Sequence, residues 1–337
     1  MEIKELLNKV IERIDLTFDE AYFMLDKIMK GEIDPAQAGS YLTALRMKGE
    51  TVTEIAASAK AMRDNGTYFE NAEDAIDIVG TGGDKSSSIN LSSISSFIVA
   101  AAGIKVAKHG NRAVSSKCGA ADLFETLGVK ITTTPEEAQK VFKDTNLIFL
   151  FAQVYHKAMK NAGPIRKSLG LRTVFNILGP LTNPAHTEKI LLGSYSKDLL
   201  PVLAEVAKEV GIKNGFFVHG EDGLDEVTLT GKSDVVELRN GVISSFTFDP
   251  RAYGFEYCKA EDLVGGTPEV NKEIALKILA NENSPRRDAV VLNAGLAIYI
   301  ATDGISIQKG IDIARETIAS GKALAKVKQY VELSNQF

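Results

Sequence analysis

Three glycines and an aspartate, Gly80, Gly82, Gly83 and Asp84, directly follow an apolar run in AIDIVGTGGDKSSSINLSS (75–93), and five serines stand between residues 86 and 93. Glycines permit a tight turn and let backbone N–H groups approach a ligand closely. Ser92 and Ser93 fall where LSSISSFIVAAAG opens a helix, and the amides at a helix N-terminus favour an anion. That chemistry suits a phosphate. The spacing fits neither G-x-x-x-x-G-K-S/T nor G-x-G-x-x-G, so it is neither a Walker loop nor a dinucleotide fingerprint. A plain tight connection from strand to helix would also use such residues.

A second strand candidate, IKVAK (104–108), runs into HGNRAVSSKCGAAD (109–122). Here Lys108, His109, Asn111, Arg112, Ser115, Ser116 and Lys117 are interleaved with Gly110 and Gly119, a set of cations, hydroxyls and amides able to neutralise several phosphate oxygens. A solvated basic loop would not need the Ser, Asn and Gly between the charges. Two further features carry chemistry. Asp225 and Glu226 are adjacent acids in LDEVTLTG, and could equally be charged turn residues ahead of a strand. Arg166, in AGPIRKSLG, is placed at the start of a helical turn after Pro164, and its planar guanidinium can grip a carboxylate through two parallel hydrogen bonds. Pro180, Asn183 and Pro184 read as stiffeners of a connection, and His156, His186 and His219 as structural; His109, inside the basic loop, is the histidine expected to line the site.

The elements that must hold these groups fall into two regions. The first 66 residues read as consecutive helices. Ile3, Leu6, Leu7, Val10 and Ile11 form one apolar stripe, Thr17-Phe18-Asp19-Glu20 and Thr51-Val52-Thr53-Glu54 have capping-box form, and Asp34-Pro35 opens another helix. From residue 75, the runs AIDIV, IKVAK, NLIFLF (146–151), ILLGSY (190–195) and GFFVHG (215–220) alternate with helical patterns. The expected fold is α/β: a small all-helical domain (1–70) and a large domain (71–337) with a mostly parallel sheet covered by helices, whose ligands gather at the carboxyl ends of strands.

Composition narrows the function classes. The net charge of −5 offers no general attraction to nucleic acid or to an anionic membrane, so an anion site must be built locally. Two cysteines, Cys118 and Cys258, are too few for a disulfide framework. The N-terminus mixes charged and apolar residues, unlike a signal peptide, and no apolar run reaches membrane-spanning length. A cytoplasmic protein is expected.

VGTGGD, then Asn90-Leu91-Ser92-Ser93, then KHGNRAVSSK, then RTVFNILGPLTNP (172–184) closely resemble the anthranilate phosphoribosyltransferase family of tryptophan biosynthesis, over nearly the whole chain and in the family's order and spacing. The resemblance implies a helical domain to which residues near 157–180 return, a substrate cleft between the two domains, and a homodimer joined through the helical domains. It implies that phosphoribosyl pyrophosphate (PRPP) contacts Gly80, Gly83, Asp84, Ser88, Asn90, Leu91, Ser92 and Ser93. The loop comprising Lys108, His109, Gly110, Asn111, Arg112, Ala113, Val114, Ser115 and Ser116 should fold over it, with a further contact at Ala120. Gly80, Asn111 and Arg166 match anthranilate-binding positions. Ser92, Asp225 and Glu226 match ligands of Mg²⁺, with two ions expected per subunit. Ser88 and Ser93 replace commoner threonines, and Cys118 and Ala120 commoner serines.

The implied reaction explains the residue types. Displacing pyrophosphate from ribosyl C1 builds negative charge on the leaving group, and Mg²⁺ typically uses one or two carboxylates plus substrate phosphates. The aromatic amine of anthranilate is already unprotonated at neutral pH, so no nucleophile triad is required. Two alternatives share the broader fold. A pyrimidine nucleoside phosphorylase would carry different residues around its phosphate, and a nucleic-acid-binding relative should be broadly basic and lack the acidic pair.

Overall fold

The computed structural model describes residues 1–84, 86–113 and 117–337; Val114, Ser115 and Ser116 of the expected loop lie outside the described residues. Four helices open the chain: α1 (Ile3–Ile11), α2 (Phe18–Lys30), α3 (Pro35–Lys48) and α4 (Val52–Asp64). Both capping boxes form, and α2 stops at Gly31 in the left-handed conformation that glycine tolerates. Glu54, at the third position of α4, is fully buried. It accepts from the Leu16 amide at 2.9 Å and pairs with Lys48 at 2.9 Å, so one carboxylate fastens the α1–α2 connection and the end of α3 to the start of α4.

Then come β1 (Ile76–Gly80), α5 (Leu91–Ala101), β2 (Val106–Gly110), α6 (Ala120–Thr126), α7 (Pro135–Thr145), β3 (Leu147–Phe151), α8 (Ala152–Tyr155), α9 (Met159–Leu169), α10 (Phe175–Leu181), β4 (Lys189–Gly193), α11 (Leu200–Glu209), β5 (Asn214–Gly220), β6 (Ser233–Arg239) and β7 (Val242–Phe248). Four helices close the chain: α12 (Pro268–Leu279), α13 (Pro285–Ala301), α14 (Ile307–Ala319) and α15 (Lys322–Ser334). The sheet order is β3-β2-β1-β4-β5-β6-β7, parallel through β5 and antiparallel at β6 and β7. Among the described residues, no helix is long and apolar enough to cross a membrane.

The sheet divides the apolar residues between two cores. Ile76, Ile78, Leu191, Phe216 and Val218 face one side, against α5 and α13. Ile190, Leu192, Phe217 and Leu238 face the other, in a core continuous with that of α1–α4. Helix α9 packs on α2 and α3, where Asn161 donates to the Met29 carbonyl at 2.7 Å, and Arg63 of α4 donates to the Leu181 carbonyl of α10 at 3.1 Å.

Three expectations change. Strands β6 and β7 were not singled out, because β7 is an exposed edge with serines at Ser244 and Ser245 rather than an apolar run. Arg166 lies in the last turn of α9, not at the start of a turn, because the helix begins at Met159 and runs on through Pro164, its sixth residue, at the loss of one backbone hydrogen bond. Lys108, His109 and Gly110 are the end of strand β2, paired with Phe149, Leu150 and Phe151, and not part of a loop.

Candidate active site

Strand ends β1 and β4 lie side by side, with Gly80 paired to Gly193. A Cβ on either residue would overlap Asp225, on its carboxylate at Gly80 and on its backbone at Gly193. These two glycines therefore admit the Asp225–Glu226 segment to the carboxyl edge of the sheet. Beyond β1 the chain turns through Gly82 and Gly83, both at positive φ (70° and 77°). The Gly82 amide donates to Asp225 Oδ2 at 2.6 Å, and the Ser92 amide, at the N-terminus of α5, donates to Glu226 Oε1 at 3.2 Å. Lys108, buried at 1% exposure, donates Nζ to Ser92 Oγ at 3.1 Å and to the Ile78 carbonyl. The glycine turn, the α5 N-terminus, the acidic pair and one lysine thus form a single constellation.

Its electrostatics are those of crowded acids. Burial, then Glu226 and Asp84, hold the Asp225 carboxyl well above the usual range. Burial pushes Glu226 up to about 7, against the pull of Lys108. Burial lowers the Lys108 ammonium, while Asp77, Glu226 and Asp225 work in the opposite direction. Asp84 Oδ2 is buried without a hydrogen-bond partner. Three carboxylates within electrostatic reach, one with an orphaned oxygen, and a neighbouring hydroxyl are hard oxygen donors that fit a divalent cation. Among the described residues, no group of three or more His, Cys, Asp or Glu is arranged as a metal cage. A cation here would complete its shell with water and phosphate oxygens, which is the habit of Mg²⁺.

At the end of β2 a second loop is fastened by Asp122 of α6, whose Oδ2 accepts from the Ala113 amide at 3.0 Å and the Gly119 amide at 2.8 Å. Arg112 reaches the same Asp122 at 3.1 Å, grips Glu125 at 2.7 and 3.1 Å, and lies 5.5 Å over the Phe151 ring. Asn111 is exposed, Gly110 abuts Ala120, and Ala120 is the first residue of α6. Asn90 joins the two loops, donating to the Cys118 carbonyl at 3.0 Å and accepting from Asn271 of α12 at 2.9 Å. Leu91 and Ser93 turn their side chains into the interior at 1% exposure each, and Ser88 accepts from the Ser86 hydroxyl at 3.1 Å.

Arg166 is half-buried, lies 5.2 Å over the Phe175 ring, and is lowered in pKa by burial. Among the described residues no carboxylate pairs with it, so its charge is available to an anion. Among the described residues no hydrogen bond joins it to Asn111 or Gly80. His109 does not face solvent: at 5% exposure its Nδ1 meets the Gly179 carbonyl at 3.1 Å, and burial keeps the ring neutral, with a pKa near 3. Its neighbour His156 meets the Thr182 carbonyl at 2.9 Å, and Asn183 donates to Asp77 Oδ2 and to the Ala107 carbonyl at 2.7 Å each. Sequence reasoning missed Asn271, which carried no signal. It also missed Arg172, which stood inside the quoted RTVFNILGPLTNP without being assigned a role.

Comparison with known proteins places the chain in a family. Residues 4–66 match the helical bundle domain of a glycosyl transferase family and residues 72–324 its a/b domain. An anthranilate phosphoribosyltransferase of Methanobrevibacter smithii is 50% identical over 333 residues, spanning 99% of each chain. The crystal structure of the enzyme of that name from Thermus thermophilus superposes with a TM-score of 0.93 at 41% identity, covering 98% of this chain and 99% of that one. The Saccharomyces cerevisiae enzyme, solved in complex with PRPP and Mg, gives 0.90 at 30% identity, over 99% of this chain and 98% of that one. With both of its regions matched and its length shared end to end, the chain belongs to the anthranilate phosphoribosyltransferase family.

Proposed function

We propose that this chain transfers the phosphoribosyl group of PRPP to the amine of anthranilate, giving N-(5-phosphoribosyl)anthranilate and pyrophosphate, a step of tryptophan biosynthesis. The C1–O bond to the diphosphate breaks, the C1–N bond forms, and the amine proton leaves to solvent. The observation that carries the reading is the convergence of Asp84, Asp225 and Glu226 on the glycine turn and the α5 N-terminus.

The residues divide the work by chemistry. Amides of the turn and of α5 offer donors to phosphate oxygens, beside Ser88 and Asn90. Lys108, at the end of β2, and Arg112, in the connection that follows, add charge, with Ala120 at the start of α6 beside them. Ser92, Asp225 and Glu226 would hold Mg²⁺, with Asp84 adjacent. Bound there, Mg²⁺ supplies the positive charge that stabilises the departing diphosphate. Lys108 balances the acids from behind and orients the Ser92 hydroxyl. Arg166, with no carboxylate partner, is the cation for the anthranilate carboxylate, and Asn111 a polar contact near it.

We further infer two Mg²⁺ ions per subunit, since three carboxylates and a hydroxyl are more than one such ion takes from protein. A homodimer through the helical domain is supported by the exposed apolar residues that this domain carries, Ile11, Ile14, Phe18 and Met47. We place the two domains at 1–70 and 71–337, with α9 and α10 belonging to the first and the cleft between them. A cytoplasmic location is consistent with two cysteines that form no disulfide. The test is consumption of anthranilate on mixing with PRPP and Mg²⁺; retention on DNA that weakens with salt would favour the nucleic-acid-binding alternative.

A further inference from the structure

Arg172 sits in the connection between α9 and α10, and its guanidinium lies 3.8 Å from the centroid of the Tyr195 ring. Its Nη2 donates to the Gly83 carbonyl at 3.0 Å. A Cβ on Gly83 would overlap this Nη2, so residue 83 must be glycine for the contact as well as for its φ of +77°. The turn is gripped at each of its residues. The Thr81 amide donates to the Gly193 carbonyl at 2.9 Å while its hydroxyl accepts from the Tyr195 amide at 3.1 Å; Gly82 is held by Asp225, and Gly83 by Arg172.

These holds differ in kind. Asp225 occupies an amide that a phosphate oxygen can take over. Arg172 holds a carbonyl, which no anion will displace. In a planar trans peptide the carbonyl and the following N–H point in opposite directions. Fixing the Gly83 oxygen therefore fixes the direction of the Asp84 amide. Glycine at position 83 leaves the N-terminal side of this peptide free to rotate, so the peptide needs a hold against flipping. A flipped peptide would turn a carbonyl oxygen toward the diphosphate and repel it.

We propose that Arg172, stacked on Tyr195, is a positioning residue that locks the Gly83–Asp84 peptide with its amide directed to the diphosphate of PRPP. The inference rests on reading this turn as the diphosphate site. Among the described residues no carboxylate pairs with Arg172, so its charge also favours an anion at the turn.

The test is steady-state kinetics of Arg172→Ala, Arg172→Lys and Tyr195→Leu, together with the heat stability of each protein with and without PRPP and Mg²⁺. Arg172→Ala should raise the KM for PRPP about ten-fold or more, the loss expected for a charge-assisted hydrogen bond, with the KM for anthranilate within about two-fold of the original. Arg172→Lys should recover part of the loss, because an ammonium can reach the carbonyl but stacks less well. Tyr195→Leu should give a smaller rise in the same KM. An unchanged KM for PRPP in Arg172→Ala, or equal rises in both Michaelis constants, overturns the assignment. So does a loss that Arg172→Lys fails to relieve in a protein of normal heat stability. If the unmodified protein shows no PRPP-dependent stabilisation, the diphosphate reading itself falls, and the inference with it.

Discussion

Asp225 accepts a 2.6 Å hydrogen bond from the amide of Gly82, a donor that the glycine turn would otherwise offer to a phosphate oxygen. Glu226 does the same to the Ser92 amide at the head of α5. The acidic pair thus covers the anion-binding amides; burial raises the pKa of both acids, while the two amide hydrogen bonds pull the other way. A cation that draws the carboxylates to itself would release those amides for the substrate.

Changing Asp225 to Asn and Glu226 to Gln together should therefore separate stability from activity. Turnover should fall by at least ~10²-fold to 10³-fold at saturating Mg²⁺, the loss typical of one well-placed electrostatic contact. Stability should move the other way. Glu226 ionises near 4.5 in an unfolded chain and near 7 here, so the folded state holds its proton more tightly, and stability present at low pH is lost as pH rises from about 4.5 to about 7. The double variant should lose that slope and melt higher than the parent at about pH 8; near-normal turnover would remove both residues from the site.

The glycines give a graded prediction. A Cβ at Gly82 meets nothing, so Gly82→Ala should suffer only from its φ of 70°, roughly 1–2 kcal/mol. A Cβ at Gly193 would overlap the Asp225 backbone. Gly193→Ala should therefore be the more damaging, displacing the acidic pair and abolishing stabilisation by PRPP with Mg²⁺. Equal melting shifts in the two variants would show that the 225–226 segment moves aside freely.

On the acceptor side, Arg166→Ala should raise the KM for anthranilate roughly ten-fold to a hundred-fold while leaving that for PRPP nearly unchanged. Arg166→Lys should recover only part, lacking the two-point grip. Equal effects on both constants would make Arg166 a support of the cleft in general.

His156 predicts an acid limb. Burial lowers its pKa from 6.5 to about 4, so below about pH 6.5 the unfolded chain takes up a proton that the folded protein refuses. Stability should fall as pH drops from about 6.5 to about 4, by about 3 kcal/mol from this residue alone. Urea unfolding at several pH values should show a shallower limb for His156→Gln, which keeps a donor for the Thr182 carbonyl. An unchanged limb would assign the acid sensitivity to other groups, His109 first.

Local signals made much of this architecture readable. Thr17, Gly31, Asp34 and Thr51 act at the helix ends where their chemistry says they should, and Gly80, Gly82 and Gly83 turn where the apolar run ends. Relationships across the chain were not readable. Nothing near Gly193 reveals that Asp225 will lie against it, and nothing near Asn271 that it will hold Asn90. Lys108 looked like a loop cation because polarity was read as exposure; it is buried because the Ile78 carbonyl, Ser92 and nearby acids can satisfy it. Val242–Phe248 escaped notice because an exposed edge strand needs no apolar alternation.

The most direct test follows anthranilate by its own fluorescence while PRPP and Mg²⁺ are added to the purified protein. The account predicts a decay that requires PRPP, consumes one anthranilate per PRPP, and stops when the metal is chelated. Anthranilate that persists undiminished with PRPP and Mg²⁺ in excess would contradict it.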